Sequence, residues 1–177
     1  MKKCLQRVNR LLGLSSIYLF LGVSTPAFAA DLSMDVVSLK YPNSWRVSPG
    51  DGGCSHLSAP SKSSHDAFSL EVCPVQKDME QAAYDSGIFD KNENGTWITI
   101  AGQGSSQIAN HITNAKWAGI QAVIDCGIED ETGFHAVGGD CFWAIISDGR
   151  HSLVIDTVGT YRDVRTINRI VNSIRFK

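Results

Sequence analysis

The stretch CFWAIISDGRHSLVIDTV, Cys141 to Val158, decides the fold class. A short apolar run, Cys141 to Ile146, precedes the polar residues Ser147 to Arg150, and a second run, Ser152 to Val158, follows them. Both runs are rich in residues that favour strands, and an Asp-Gly pair between them favours a tight turn. The stretch therefore predicts a buried strand, a turn and a second strand that returns antiparallel to the first.

A helix is predicted after this pair of strands. Thr160 and Asp163 form an approximate capping box at its start. Apolar residues then recur at helical spacing, at Tyr161, Val164, Ile167, Ile170, Val171 and Ile174. Arg162, Arg165 and Arg169 fall on the polar side of the same helix, which we interpret as a solvated face, with an anion-binding stripe as the alternative.

The segment before Cys141 predicts a hairpin stapled by a disulfide. Ala115 to Cys126 reads as a strand, with Gly119 as a candidate β-bulge. A polar tip separates Cys126 from Cys141, and a regular ladder centred on Gly133 and Phe134 makes the two cysteines face each other. Asp125 and Asp140 flank the staple and could also face each other, although solvent-facing residues on the hairpin shoulders are the simpler interpretation.

A second stapled hairpin is predicted upstream. Residues Cys54 to Ala59 and Ala67 to Cys73 flank a polar loop. A ladder centred in that loop pairs Cys54 with Cys73 and Ala59 with Phe68. We therefore predict the local disulfides Cys54–Cys73 and Cys126–Cys141, with crossed pairings as the alternative. His56 lies two residues from Cys54 and thus on the same strand face, but oxidation of Cys54 removes the free thiol that a cysteine nucleophile needs.

The remaining segments complete an α+β pattern. Met34 to Tyr41 predicts a strand, followed by a turn and by Trp45 as an aromatic anchor. Asp78 caps a short helix, with Gln81 three residues on and Gly87 as its end. Thr96 to Ala101 predicts a strand, whereas Ser106 to Ile112 is ambiguous between helix and strand. The sum is a single α+β domain with a largely antiparallel β-sheet flanked by helices and two local disulfides.

The first thirty residues resemble a secretory signal peptide. Four basic residues precede an apolar run, and Ala27-Phe28-Ala29 is a small-x-small cleavage pattern. We expect cleavage after Ala29 or Ala30, with an uncleaved anchor as the alternative, and a domain over residues 31–177. The full chain has 16 Lys and Arg and 18 Asp and Glu; loss of four basic residues leaves 12 against 18, a net charge of −6. Such a charge disfavours nucleic acid and anionic membrane surfaces as partners.

Two motifs resemble the PsbP/DcrB-like family. YPNSWRVS, Tyr41 to Ser48, is similar to the family's aromatic-Pro-x-x-Trp motif after the first strand. INRIVNSIRFK, Ile167 to Lys177, looks like its closing helix and terminal Ser-φ-Arg/Lys-Phe sequence. The resemblance implies an antiparallel sheet flanked by helices over Asp31 to Lys177. It supplies no catalytic residues, because the family has none in common.

No motif for catalysis is found in the sequence. G-x-S-x-G, the signature of a serine nucleophile elbow, does not occur, and neither does Cys-x-x-Cys or H-x-x-x-H. We therefore predict no enzymatic activity, no catalytic residues, no cofactor and no metal site. Trp97, Trp117 and Trp143 lie in predicted strands and are interpreted as core residues.

The sequence favours a protein that binds another protein in the periplasm of a Gram-negative bacterium. Exported proteins of this size and fold type include immunity proteins against cell-wall-degrading toxins of type VI secretion systems, and by that analogy we expect an inhibitor of a basic toxin or peptidoglycan hydrolase. The predicted binding loop is Ile128 to Val137, with contacts from Glu129, Asp130, Glu131, Phe134 and His135. Alternatives are a small-ligand-binding or envelope-assembly accessory protein, and a homodimer remains open.

Overall fold

The deciding stretch forms two neighbouring central strands of a seven-stranded antiparallel sheet. The computed structural model describes residues 28–61, 68–101, 106–130, 133–158 and 163–177. The strands are β1 Phe28–Ser33, β2 Val37–Pro42, β3 Arg46–Pro49, β4 Ser55–Ser58, β5 Ser69–Val75, β6 Phe89–Lys91, β7 Trp97–Thr99, β8 Asn110–Thr113, β9 Ala118–Asp130, β10 Gly133–Ser147, β11 Ser152–Val158 and β12 Arg175–Phe176. The helices are α1 Met79–Asp85 and α2 Val164–Asn172.

The large sheet has the order β3-β4-β5-β11-β10-β9-β8. The turn between β10 and β11 forms as the Asp-Gly pair predicts. Asp148 Oδ1 accepts hydrogen bonds from the backbone N–H groups of Arg150 and His151, both at 2.8 Å. Gly149 has φ 96°, a conformation that side chains with a Cβ disfavour.

One face of the large sheet packs against α2 and a three-stranded sheet of order β1-β2-β12. Ile167 and Ile170 of α2 and Leu39 of β2 are buried against alternate residues of the large sheet, such as Leu70 and Ile155. Trp117 also lies in this core and donates its indole N–H to the carbonyl oxygen of Ile174 at 3.2 Å. Burial of this alternating apolar face supplies the main driving force for folding.

The opposite face packs against α1 and the β6–β7 hairpin over β9 and β10, with Val75 of β5 and Val154 of β11 at its border. Ala82 and Ala83 of α1, Phe89 of β6 and Trp97 of β7 are buried against Ile120 and Ile145. Helices therefore lie on both faces of the sheet, and both disulfides, Cys54–Cys73 and Cys126–Cys141, have the predicted local connectivity. The predicted α+β class and the two local disulfides are confirmed, and the alternative of crossed disulfide pairings is wrong.

Both helices begin at an aspartate that caps them. Asp78 accepts a hydrogen bond from the N–H of Gln81 at 2.9 Å, as predicted. Asp163 accepts one from the N–H of Thr166 at 3.0 Å. The predicted cap of α2 at Thr160 is therefore three residues too early, and Thr160, Tyr161 and Arg162 lie outside the described residues. Val164 is exposed, whereas the other predicted apolar positions from Ile167 to Ile174 are buried.

Strand boundaries at the chain's two ends differ from the prediction. The predicted strand Met34 to Tyr41 starts too early, because the N–H of Met34 donates to the carbonyl of Val37 and closes the turn between β1 and β2. β1 itself was not predicted, and its residues Asp31 to Ser33 lie beyond the predicted cleavage sites. The segment after α2 is also a strand, β12, which pairs with β2.

Other segments follow the sequence more closely. Trp45 is buried and makes an edge contact with Phe68, with ring centroids 5.9 Å apart. The predicted strand over Thr96 to Ala101 forms as the shorter β7, and the ambiguous segment Ser106 to Ile112 resolves as a bridge residue, Ile108, followed by β8. Among the described residues, no helix has the length and apolarity that crossing a membrane requires.

Gly119 lies in a regular part of the ladder, so the predicted bulge there is wrong. It pairs with Ile112 of β8 and with Ile146 of β10. A Cβ atom at this position would lie 2.4 Å from the carbonyl oxygen of Ile145. The glycine is required by close approach of two backbones, which is the other common reason for glycine inside a strand.

Candidate functional site

The β9–β10 ribbon extends beyond the strands on either side of it. β8 pairs with β9 only as far as Gln121, and β11 pairs with β10 only as far as Trp143. Beyond those points, the described part of each strand pairs only with the other strand of the ribbon. The inward residues of β9 remain buried as far as Cys126, and from Gly127 outward the ribbon continues as a two-stranded projection.

We call residues 127–130 and 133–140 the arm. Its ladder pairs Glu129 with Phe134, Asp130 with Gly133 and Ile128 with His135. Four of the five predicted contact residues thus lie on this backbone ladder, and the fifth, Glu131, lies outside the described residues. At about 3.3 Å per residue, the strand from Gly127 to Asp130 extends the ribbon by roughly 10–15 Å.

The disulfide Cys126–Cys141 lies at the base of the arm, but its cysteines do not face each other. Cys141 faces Ile124, and the register shifts between Ala136 and Asp140. Three residues of β10, 137 to 139, therefore oppose Cys126 alone, and Gly139 takes φ 87° within this bulge. The predicted register was wrong because it assumed a regular ladder, whereas the bulge moves the turn to residues 131 and 132.

The base of the arm is acidic. Asp125 and Asp140 are both exposed, as the interpretation of solvent-facing shoulder residues predicts, and they also pair directly across the ladder, as the alternative allows. Between Asp125 and Cys141 the sequence has five acidic residues and neither Lys nor Arg. The arm is therefore a narrow, braced and negatively charged projection.

A second group of polar residues crosses the other half of the large sheet. His56 of β4, Glu71 of β5 and Asp156 of β11 are consecutive partners in the antiparallel ladder, so they lie on one face. His56 Nε2 is 3.5 Å from Glu71 Oε1. We call these three residues the polar row. Trp143 of β10, which is half-buried, continues the same line.

The polar row is partly open to solvent. The side chains of His56 and Glu71 are 34% and 29% exposed, so solvent reaches them although they lie on the sheet. Burial and the neighbouring carboxylate of Glu71 raise the pKa of Asp156 to about 6, while His56 acts in the opposite direction. Asp156 therefore changes charge in mildly acidic solution.

Sequence reasoning singled out His56 but missed its two partners. The register predicted for the first hairpin already pairs His56 with Glu71, and that register is confirmed over all of β4. Asp156 could not be placed beside them, because the pairing of β11 with β5 joins segments about eighty residues apart in the chain. Cys54, as predicted, is oxidised, so it offers no thiolate next to His56.

Two of the tryptophans lie in the cores, and two arginines of the predicted stripe face solvent. Trp97 and Trp117 are buried as predicted, and Trp97 contacts Tyr84 and the ammonium of Lys91, 4.9 Å from its ring centroid. Arg165 and Arg169 lie on the exposed side of α2.

Two cavities of about 390 and 350 Å³ are lined by described residues. The first lies between the turn at Asp35 and the end of β5, and the second lies beside Arg46 and Ser58. Neither cavity has a tryptophan in its lining.

No protein-family model matches this chain, and no curated protein matches it at a significant level.

Proposed function

We propose that this protein is an exported, non-enzymatic binding module whose arm inserts into a cleft of another protein. The observation that carries the proposal is the shape of the ribbon: a two-stranded projection, held at its base by a disulfide, whose outer edges pair with no other described strand. Proteins usually protect unpaired strand edges from pairing with other chains, so unprotected edges favour a role in binding. A braced projection also loses little conformational entropy when it binds.

The charge of the arm defines the partner. The segment from Asp125 to Cys141, which contains the arm, has five acids without a compensating Lys or Arg and favours a basic cleft; complementary charge raises the rate of association as well as specificity. A peptidoglycan hydrolase delivered to the periplasm as a toxin is the partner class that we propose, and inhibition follows because an inserted arm excludes substrate. The central apolar contact comes from Phe134, since buried aromatic residues commonly dominate binding energy.

Site-specific photo-crosslinking tests this proposal. A photoreactive amino acid at Phe134 reports on the arm, and the same amino acid at Asn94, an exposed turn residue remote in the chain, serves as the matched control. In periplasmic extract, the arm position should crosslink to one basic protein that the control position does not reach. That protein should degrade peptidoglycan, and addition of this chain should suppress the activity. Equal crosslinking from both positions, or a captured protein whose activity is unaffected, argues against the arm as an inhibitory element.

A further inference from the structure

Four potential metal ligands lie together on one face of the β4–β5 hairpin. Cys54 and His56 are two residues apart on one strand, and Glu71 and Cys73 are two residues apart on the other. All four side chains therefore project from the same side of the ladder. Glu71 faces His56, and the disulfide joins Cys54 to Cys73 with their Cα atoms 4.2 Å apart. The four residues form the corners of a small rectangle.

Three of these groups already lie within reach of one ion, because the two sulfur atoms and a carboxylate oxygen of Glu71 all lie within 4.8 Å of one another. His56 stands outside that set, with Nε2 3.5 Å from Glu71 Oε1, so its imidazole must turn toward the sulfur atoms to become the fourth ligand. Ligands of a tetrahedral zinc ion, with bonds of about 2.0–2.3 Å, lie roughly 3.3–3.8 Å from one another. All four residues are partly exposed, so an ion can reach them.

We propose that the reduced form of this protein binds one Zn²⁺ ion through Cys54, Cys73, Glu71 and His56. In the oxidised chain both sulfurs are held in the disulfide and offer no thiolate, so the expectation of no metal site, drawn for an oxidised exported protein, applies to that form. A dithiol reductant transfers two electrons and two protons, the S–S bond breaks, two thiols form, and the reductant becomes a disulfide. Zn²⁺ then replaces both thiol protons, which pass to water.

The surroundings favour a divalent cation with a preference for sulfur. Two thiolates and an imidazole suit Zn²⁺ better than Mg²⁺ or Ca²⁺, which take oxygen ligands. Asp156 faces Glu71 across the next ladder, so a cation here also offsets repulsion between two carboxylates. The metal would join β4 to β5 where the disulfide joins them after oxidation, which keeps this hairpin closed in a reducing environment.

The proposal is tested by cobalt binding. The variant used keeps only Cys54 and Cys73 in the mature region. The variant Cys126→Ser/Cys141→Ser, reduced with a phosphine, is titrated with Co²⁺ and then with Zn²⁺. A thiolate-to-cobalt charge-transfer band should appear with one equivalent of Co²⁺ and disappear on addition of Zn²⁺, and the oxidised variant should show no band. Glu71→Gln and His56→Ala should each weaken binding by at least the roughly 10–100-fold that the loss of an outer-shell partner costs.

The reciprocal variant provides the control. Cys54→Ser/Cys73→Ser retains the cysteines at the base of the arm, where acids but no histidine flank them, and should show no band after reduction. An equal band in that variant, or unchanged affinity in both Glu71→Gln and His56→Ala, overturns the proposal.

Folding of the reduced chain is followed separately by far-ultraviolet circular dichroism during the titration. If reduction unfolds the variant, Zn²⁺ should restore the sheet signal and protect Cys54 and Cys73 from alkylation. A reduced chain that gives neither a band, nor protection, nor refolding contradicts the proposed site.

Discussion

Asp156 shows how the fold can place a charge in unfavourable surroundings. Its neighbours on the strand, Ile155 and Thr157, point into the opposite core, so its own side chain lies on the polar row beside Glu71. Burial is the larger cause of its raised pKa, and repulsion from Glu71 adds to it. The folded protein therefore holds a proton on Asp156 more tightly than the unfolded chain does.

This difference predicts that stability falls as pH rises from about 4 to about 7. The pKa of Asp156 in the folded protein, about 6, exceeds the ordinary value of 3.8. Its contribution to folding stability is therefore fully present below the ordinary value and is lost as the pH rises through 6. A shift of about two pKa units corresponds to roughly 3 kcal/mol, which partial exposure reduces to about 1–2 kcal/mol. Urea unfolding of Asp156→Asn across this range should give a flatter profile and greater stability than wild type at pH 7.5. Asp125→Asn, at an exposed position, should retain the wild-type slope, and a wild-type slope in Asp156→Asn would contradict the assignment.

The elements were predicted from sequence to unequal degrees. Periodicity and turn signals placed β10, β11, α1 and the first hairpin, because their patterns are local and regular. The arm's register, the extra strand β1 and the terminal strand β12 were missed. A bulge at Gly139 changes pairing without changing periodicity, and β1 and β12 form only because β2 lies between them.

The close packing of β9 on β10 makes Gly119 a sensitive position. Gly119→Ala would place a Cβ 2.4 Å from the carbonyl oxygen of Ile145, so one backbone must shift. Overpacking of this kind costs about 1–3 kcal/mol, and chemical denaturation should show a loss of that size. Ala118→Ser, at the exposed neighbouring position, should change stability by less than about 0.5 kcal/mol. Equal stability of the two variants would show that the strands can separate at no cost.

The cap of α2 can be tested in the same way. Asp163→Ala removes the acceptor for the N–H of Thr166, a loss of about 1 kcal/mol in the unfolding free energy. Asp163→Ser keeps a capping oxygen and should retain most of the stability. If Asp163→Ala unfolds at the same denaturant concentration as wild type, the helix does not depend on this cap.

At the scale of the whole molecule, the two faces of the large sheet have different roles. One face is buried by α2 and the small sheet, and the other is covered by α1 and the β6–β7 hairpin over β9, β10 and parts of β5 and β11. The polar row lies on this second face, and the arm extends from β9 and β10. The apolar runs of β10 and β11 and the apolar stripe of α2 predicted buried elements, because each element carries its own pattern. Neither the polar row nor the arm's projection could be predicted, because both depend on which strands are neighbours and where their pairing stops.

The central claim is that the arm binds a partner, and the dissociation constant of the partner crosslinked at Phe134 tests it most directly. The variant replaces Ile128–His135 with Asn-Gly, a two-residue turn that continues the ladder where Gly127 faces Ala136. Because the variant retains both disulfides and both cores, its circular dichroism spectrum should match wild type. Loss of the central contacts should weaken binding by at least about 30-fold. A folded variant that binds the partner within about threefold of wild type would contradict the account.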